Sequence, residues 1–553
     1  MSRVKQAQIA PVANFSELLT RCAEAYGEKC YLTYHRNKET VRLSYAAFAK
    51  LAFSVRNALI AGGLSGKSVA LIGDTSPEWL ATFLGTVLAG GRAVPLDREL
   101  SESEIPLFLE KAKAEAVFFA PRFATLMENI PSLSCRVRFP AEGESDEAFS
   151  SFLATGASVE DAFVESDSTR ASVLLFTSGT TGSSKGVLLS EANLITVMNE
   201  AHRMLRFGED EVLLSVLPPH HTYELTCGLL TPMLYGATVC ISDGLRYVSK
   251  NMKEFRPTAM ILVPLFVNRF YKTVLQIAER NGELKKLLGA QRVANTLYRM
   301  GFDLRRRIFA KVLSAFGGRL TRIVCGGAPL DPAMVERFSS FGITVAQGYG
   351  ITECAPLISV VPFGISNPTS CGKLIGAMQC YIDKENPTDP YGEIVVKGPN
   401  VMLGYLDDEE ATREVLHMGW FHTGDYGYMD ENGYLYITGR KKNVIVCPGG
   451  KNVFPEEIEE YLERIDLVGE CVVVGRPSEN GEQMHLVALI YPNEEVAAKE
   501  GLDSPDAIRT TLLGEIRELN VHLPAYKKIT DVELRNHPFE KTTTRKIKRA
   551  GLQ

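Results

Sequence analysis

A chain of 553 residues is too long for a single core, so two or more domains are expected. With 45% hydrophobic and 23% charged residues it has the balance of an ordinary globular protein, and a net charge of -6 argues against nucleic acid as a partner. The 11 cysteines are scattered, with no CxxC pair and no His/Cys cluster at zinc spacing, so reduced thiols and a cytoplasmic location are expected. The opening MSRVKQAQIAPVANF lacks the apolar run of a signal peptide, and no stretch reaches bilayer-spanning length.

Ser68 to Ile72 reads as a strand, Ser76-Pro77 opens a helix as cap and first-turn proline, and Ala93 to Leu96 returns as a strand. Trp79 to Ala89, the most apolar stretch, is a buried helix within that βαβ unit. Val173 to Phe176 and Val187 to Leu189 are strand-like runs on either side of TSGTTGSSKG. The same rhythm recurs at Val212 to Val216, an apolar segment from Thr222 to Leu234, and Ala237 to Ile241. It recurs again at Ile323 to Cys325, a helix opened by Asp331-Pro332, and Ile343 to Ala346. Repeated strand, helix, strand implies parallel sheets covered by helices, with ligands at the carboxyl ends of the strands. Between Asn268 and Gly318 a helical insertion carries Arg305, Arg306, Arg307 and Lys311. A solvated face is the preferred reading of these, and peripheral contact with a membrane surface the lesser one.

From about Pro387 to Gly439 turn-rich segments such as NPTDPYGE and DENGYLY separate short strands, as in a small β layer or barrel. An α+β module comes next. It has a helix from Pro455 to Ile465, strands near Cys471 to Val474 and Leu486 to Ile490, and a helix from Ser504 to Asn520 with Ile508, Leu512, Ile516 and Leu519 on one face. The boundary is placed near Arg440, giving domains 1–439 and 440–553.

Residues 177 to 186 are Ser, Thr or Gly in nine positions of ten, with Lys185 embedded. Thr177, Ser178, Gly179, Thr180, Thr181 and Gly182 can surround phosphate oxygens with hydroxyls and backbone N–H groups, and the glycines, Gly186 among them, permit unusual backbone angles and close approach. The spacing excludes a Walker A loop, which needs glycine where Ser184 stands. A flexible Gly/Ser linker is disfavoured by the flanking strands. Gly327, Ala328 and Pro329 follow one strand and Gly348, Tyr349 and Gly350 the next, so both loops can line one crevice, with Tyr349 as a stacking ring for adenine. Thr352 and Glu353 add a hydroxyl and a hard carboxylate suited to Mg²⁺. Asp425 and Arg440, fifteen residues apart across an expected hairpin, offer a carboxylate for ribose hydroxyls and a guanidinium for ribose or phosphate.

TSGTTGSSKG, GGAPL, QGYGITE, FHTGD, GRKKNVIVCPGGKNVFPEEIE and KTTTRKIKR occur in the order found in the adenylate-forming superfamily of acyl-CoA synthetases, adenylation domains and luciferases, which the chain resembles over essentially its whole length. The resemblance implies an α/β fold: a large N-terminal domain of two helix-covered sheets plus a distorted β-barrel (about 387–439), and a small mobile α+β C-terminal domain. It also implies a reaction in which a carboxylate attacks the α-phosphate of ATP to give acyl-AMP, from which a thiol displaces AMP. Glu353 and Thr177 then correspond to the Mg²⁺ ligands. Lys546 corresponds to the lysine bridging carboxylate and α-phosphate, and Lys442 to the hinge about which the small domain turns. Arg545 departs from the pattern, standing where glycine commonly precedes that lysine.

The LPPHHTYEL segment resembles the acyl-side motif, with His221 beside the substrate carboxylate. HHTYE, the helical insertion and GGKNVFPEEIE are most like the long-chain fatty acyl branch, which implies a fatty acid, ATP, Mg²⁺ and coenzyme A. An acyl carrier protein, as a separate chain, is the alternative acceptor. A non-catalytic acyl- or nucleotide-binding protein of this fold is the alternative from another class. Retention of Lys185, Glu353, Asp425, Arg440 and Lys546 together argues against it.

Overall fold

The computed structural model describes residues 10–141, 143, 147–159, 167, 169–177, 184–447, 451–478, 484–541, 547–549 and 551–552. Its contacts group into two units, one drawing on residues 10–177, 186–379 and 397–421 and the other on 184–185, 380–396 and 422 onward. The fold is α/β with a larger N-terminal and a smaller C-terminal part.

The first unit holds two sheets. In the seven-stranded one, Arg92–Leu96, Ser68–Ile72, Ala114–Phe119 and Cys135–Arg138 run parallel in that order, and Ala93 pairs with Val173 of Ala171–Thr177. Continuous apolar runs such as Val69 to Ile72, each fully buried, are what a parallel sheet covered on both faces demands. One covering helix is Pro77–Leu88, capped by Ser76, whose hydroxyl accepts from the Trp79 amide at 3.1 Å. It packs so closely on helix Tyr45–Ala61 that a Cβ on Gly85 would lie 2.7 Å from Val55 Cγ1.

The nine-stranded sheet carries the parallel series Thr238–Ile241, Val212–Ser215, Ala259–Leu262, Arg322–Cys325 and Thr344–Gly350. Helix Pro332–Ser340, capped by Asp331, returns the chain as the Asp331-Pro332 signal implies. The apolar segment after Thr222 is not a plain α-helix. Tyr223–Leu230 is a π-helix, continued by the α-helix Thr231–Tyr235, and every residue from Glu224 to Tyr235 is buried. The insertion folds as helices Pro264–Arg280, Leu284–Arg299, Arg305–Ile308 and Ala310–Ala315.

The expectation that Arg305 to Arg307 form a solvated face is corrected for two of the three. Arg305 pairs with Asp303 at 2.8 Å and donates to the Ser339 carbonyl, while Arg306 donates to the carbonyls of Gly318, Leu320 and Gly342. Chain ends left without helical partners need such donors. Arg307 is exposed as expected.

In the second unit, Val468–Pro477 and Met484–Pro492 form an antiparallel pair, with Ile529–Leu534 added in parallel. Helices Pro455–Leu462 and Pro505–Val521 cover it; Leu512 and Ile516 are buried, and Ile508 and Leu519 pack at the edge of the same core. The expected division at Arg440 runs inside this unit. The hairpin Trp420–Met429 and Leu435–Arg440 pairs Asp425 with Arg440, and Phe454 packs on Tyr391 at 5.0 Å and on Tyr426 at 5.8 Å. Aromatic burial across the sequence boundary therefore ties residues 422–439 to the chain beyond Arg440. No helix of the described residues is long and apolar enough to cross a membrane.

Candidate active site

Thr177 ends strand Ala171–Thr177 of the first unit, and strand Lys185–Ser190 is its neighbour in the sheet; Gly186 to Ser190 belong to that unit, while Lys185, which opens the strand, groups with the second. Ser178, Gly179, Thr180, Thr181 and Gly182 lie outside the described residues. Of the two uses expected of Gly186, an unusual backbone angle and close approach, the fold makes use of close approach. The glycine sits within the strand, where a Cβ would meet Leu174 Cδ1 at 2.9 Å and Leu406 Cβ at 3.1 Å, so close packing requires glycine there. At the other end of this strand, Ser190 and Asn193 form a capping box for helix Glu191–Leu205. The buried Asn193 amide also donates to the carbonyls of Pro399 (2.6 Å) and Val401 (3.0 Å), anchoring a segment that carries no motif.

That segment supports Glu353. After strand Thr344–Gly350 the chain makes a 3₁₀ turn, Thr352–Cys354. The fully buried Asn400 donates to the carbonyls of Cys354 and Leu357, both at 2.9 Å, and the Met402 amide donates to the Glu353 carbonyl at 2.7 Å. The Tyr405 hydroxyl then donates to Glu353 Oε1 at 3.0 Å. Burial first, and then the charge of Glu353, push the Tyr405 phenol well above its ordinary value, so it stays a donor. Neither Asn400 nor Tyr405 carries a motif signal. Their roles follow from burial, which one sequence does not display.

Gly327, Ala328 and Pro329 form an exposed turn directly beyond strand Arg322–Cys325, and Gly327 adopts φ +84, open to glycine. Gly348, Tyr349 and Gly350 differ from the expected loop. They belong to the strand, held antiparallel to Leu357–Val360 through Gly348↔Val360 and Tyr349↔Ser359. Tyr349 is buried there, and a Cβ on Gly350 would lie 2.0 Å from the Pro356 carbonyl oxygen. The two glycine segments do come together, since a Cβ on Gly326 would be 3.3 Å from the Gly348 carbonyl and 3.3 Å from the Tyr223 hydroxyl.

Tyr223 brings the histidine segment to the same crevice, its hydroxyl 3.0 Å from the Val324 carbonyl and 3.3 Å from that of Leu262. Two residues earlier, the His221 ring lies 4.1 Å from that of His220. His220 Nε2 stands 3.6 Å from Asp97 Oδ2. Burial, followed by the charge of Arg98, pushes the imidazole down to about 3, so His220 is neutral near pH 7. Next along the π-helix, Glu224 is fully buried with Oε1 accepting from the Ser215 hydroxyl. Burial pushes its carboxyl up to about 8 against that hydrogen bond.

In the second unit, Asp425 and Arg440 face each other across the hairpin as their spacing implies, with Arg440 Nε 2.8 Å from Asp425 Oδ1. Asp425 is buried and Arg440 exposed, so the carboxylate is fixed while the guanidinium reaches solvent. Asp430 shapes the turn of the hairpin by accepting from the amides of Asn432 (2.9 Å) and Tyr434 (2.8 Å). Asp383, Glu393 and His422 gather within 4.8 Å of one another, but Lys441 Nζ is 2.7 Å from Glu393 and supplies the cation there. Burial raises the Glu393 carboxyl, and Lys441, Gly424 and His422 together bring it below its ordinary value.

Lys442 is exposed on the 3₁₀ turn Lys441–Asn443, immediately before strand Ile445–Cys447. Lys546 lies outside the described residues. Its flanks are described: Lys541 and Ile547 form an isolated antiparallel bridge, and Ile547 packs on the cluster of Val472, Val474, Val487, Leu489 and Phe539. Arg549 pairs with the buried Glu459, which accepts from the Val473 amide at 2.6 Å.

Residues 19–406 match the AMP-binding enzyme family. The peroxisomal long chain acyl-CoA synthetase 7 of Arabidopsis thaliana is 28% identical, covering 96% of this chain and 81% of the relative. The long-chain fatty acid–CoA ligase FadD15 of Mycobacterium bovis is 30% identical over 75% of this chain and 72% of that one. Among solved structures, ATP-bound MatB from Rhodopseudomonas palustris superposes with a TM-score of 0.76 at 25% identity, covering 98% of both chains. With that family matched across most of the first unit and the Arabidopsis thaliana relative covering 96% of the chain, the chain belongs to the AMP-binding enzyme family and is an AMP-forming acid–thiol ligase.

Proposed function

We propose that the acid is a medium- or long-chain fatty acid and the thiol that of coenzyme A. The observation carrying this reading is the extent of similarity to the Arabidopsis thaliana long chain acyl-CoA synthetase, which spans 96% of the chain and so includes the acyl-side HHTYE segment. Chemically, a carboxylate repels nucleophiles and needs a leaving group. One of its oxygens bonds to the α-phosphorus of ATP as the bond to pyrophosphate breaks. The coenzyme A sulfur then bonds to the acyl carbon as AMP leaves and the thiol proton is released.

In this reading Thr177, Ser178, Gly179, Thr180, Thr181, Gly182 and Lys185 cradle the phosphates. Gly327, Ala328, Pro329, Gly348, Tyr349 and Gly350 take the adenine, and Asp425 with Arg440 takes the ribose. His221 orients the substrate carboxylate from beside the neutral His220. Glu353, a hard oxygen donor steadied by Tyr405, fits Mg²⁺, which it would hold with Thr177 and Thr352 nearby; the ion would offset charge on the phosphates. Lys546 supplies the cation for the attack on phosphorus, and Lys442 is the hinge between half-reactions.

The test measures pyrophosphate release across a panel of straight-chain acids, with coenzyme A, with acyl carrier protein, and with neither. Release that rises with chain length, followed by acyl-CoA formation, is the expected result. Loading of carrier protein without acyl-CoA would reassign the acceptor. Binding of acid or nucleotide without any pyrophosphate release would make the chain a binding protein.

A further inference from the structure

The helical insertion concentrates charge and exposed apolar surface in one place. Residues 284–311 hold eight Lys or Arg against the single acid Asp303, a net of +7 in a chain of net charge -6. Arg305, Arg306 and Lys311 are engaged in the contacts with Asp303, with backbone carbonyls and with Glu283. Lys285, Lys286, Arg292, Arg299 and Arg307 are exposed.

Helix Leu284–Arg299 has an apolar inner side and an outer side where apolar residues lie among basic ones. Its inner one, with Leu287, Ala290 and Ala294, packs on the core of the first unit. On the outer side Lys285, Leu288, Arg292, Thr296 and Arg299 recur every three or four residues, with Val293 beside them 57% exposed. A helix that meets only water on its outer side has no use for Leu288 and Val293 there. At its end the amides of Gly301 and Phe302 donate to the carbonyls of Tyr298 (3.0 Å) and Leu297 (2.9 Å), turning the chain back. Met300 and Phe302 are left 65% and 60% exposed at that turn.

We propose that this outer side of helix Leu284–Arg299, together with the 300–308 turn, is a docking surface for an anionic lipid bilayer. Leu288 and Val293 lie among Lys285, Arg292 and Arg299, and Met300 and Phe302 follow at the turn, which suits an interface where apolar groups enter the acyl boundary and long basic stems reach the headgroup phosphates. An acidic protein surface would satisfy the cations and leave Val293, Met300 and Phe302 in water. The docking rests on the surface alone and is read without catalysis.

The experiment sediments the full chain with vesicles of phosphatidylcholine alone and of phosphatidylcholine mixed equally with phosphatidylglycerol. The chain is expected to partition onto the mixed vesicles only, less so in high salt. Lys285→Glu with Arg292→Glu and Arg299→Glu is expected to lower partitioning at least about tenfold, since each cation near the surface contributes measurably. Met300→Ser with Phe302→Ser is expected to lower it as well, while both variants keep the melting temperature of the parent. Equal binding to neutral vesicles overturns the proposal, as does undiminished binding by the charge-reversed variant. A change of oligomeric state in the variants, without loss of vesicle binding, would make the surface an interface between copies.

Discussion

Glu224 gives the sharpest test of the interior around the histidine segment. It is 1% exposed, Ser215 holds one oxygen, and Oε2 has no hydrogen-bond partner among the described residues. That oxygen lies 2.6 Å from where a Cβ on Gly228 would stand, so the glycine makes room for it. Burial raises the carboxyl from 4.5 to about 8. The folded chain therefore keeps the proton across that window while the unfolded chain releases it, and stability falls as pH rises from 4.5 to about 8. Each pH unit costs about 1.4 kcal/mol, so at pH 7 holding Glu224 neutral costs about 3 kcal/mol. Glu224→Gln keeps the shape and the Ser215 acceptor and removes the proton release. The variant is expected to be more stable than the parent at pH 7 by up to about 3 kcal/mol, with the gap closing toward pH 4.5. Urea unfolding between pH 5 and pH 8 measures this through tryptophan fluorescence, since the two tryptophans, Trp79 and Trp420, lie in the same unit as Glu224. A variant less stable at pH 7, or a gap equal at pH 5 and pH 7, would refute the reasoning.

Asn400→Ala removes two 2.9 Å bonds from a fully buried amide and is expected to destabilise by about 2–3 kcal/mol, read by the same unfolding; an unchanged midpoint would show the Glu353 turn to be held otherwise. Tyr405→Phe takes the hydroxyl from Glu353 and is expected to slow pyrophosphate release about five- to tenfold with the melting temperature kept. Full activity would remove Tyr405 from the support of Glu353. Lys546→Ala is expected to lower acyl-AMP formation at least about a hundredfold while largely sparing thioester formation from supplied acyl-AMP. Equal loss of both half-reactions would contradict that division. Lys442→Pro, by fixing φ, is expected to slow the second half-reaction more than the first, and unchanged single-turnover rates for both would count against a hinge there.

Local signals sufficed where the physics is local. Ser76-Pro77 and Asp331-Pro332 start helices because a side-chain acceptor and a preset φ act within one turn, and both do so in the fold. The buried runs at Val69 and Val173 are strands because nothing polar interrupts them, and Asp425 meets Arg440 because a hairpin converts spacing into register. Length, apolar runs and motif order thus carried the α/β class and the family from the residues alone.

Tertiary structure decided what depends on distant neighbours. QGYG is a strand because Leu357–Val360 pairs with it, and Gly186 is a packing residue because Leu406, 220 positions on, lies against it. Arg305 and Arg306 are tied down by carbonyls the sequence does not place near them. Asn400 and Tyr405 hold the Glu353 turn, and a fully buried Glu224 holds its proton. The physical reason is common to all of these. Burial and hydrogen-bond satisfaction are properties of a side chain's surroundings, which only the folded chain assembles.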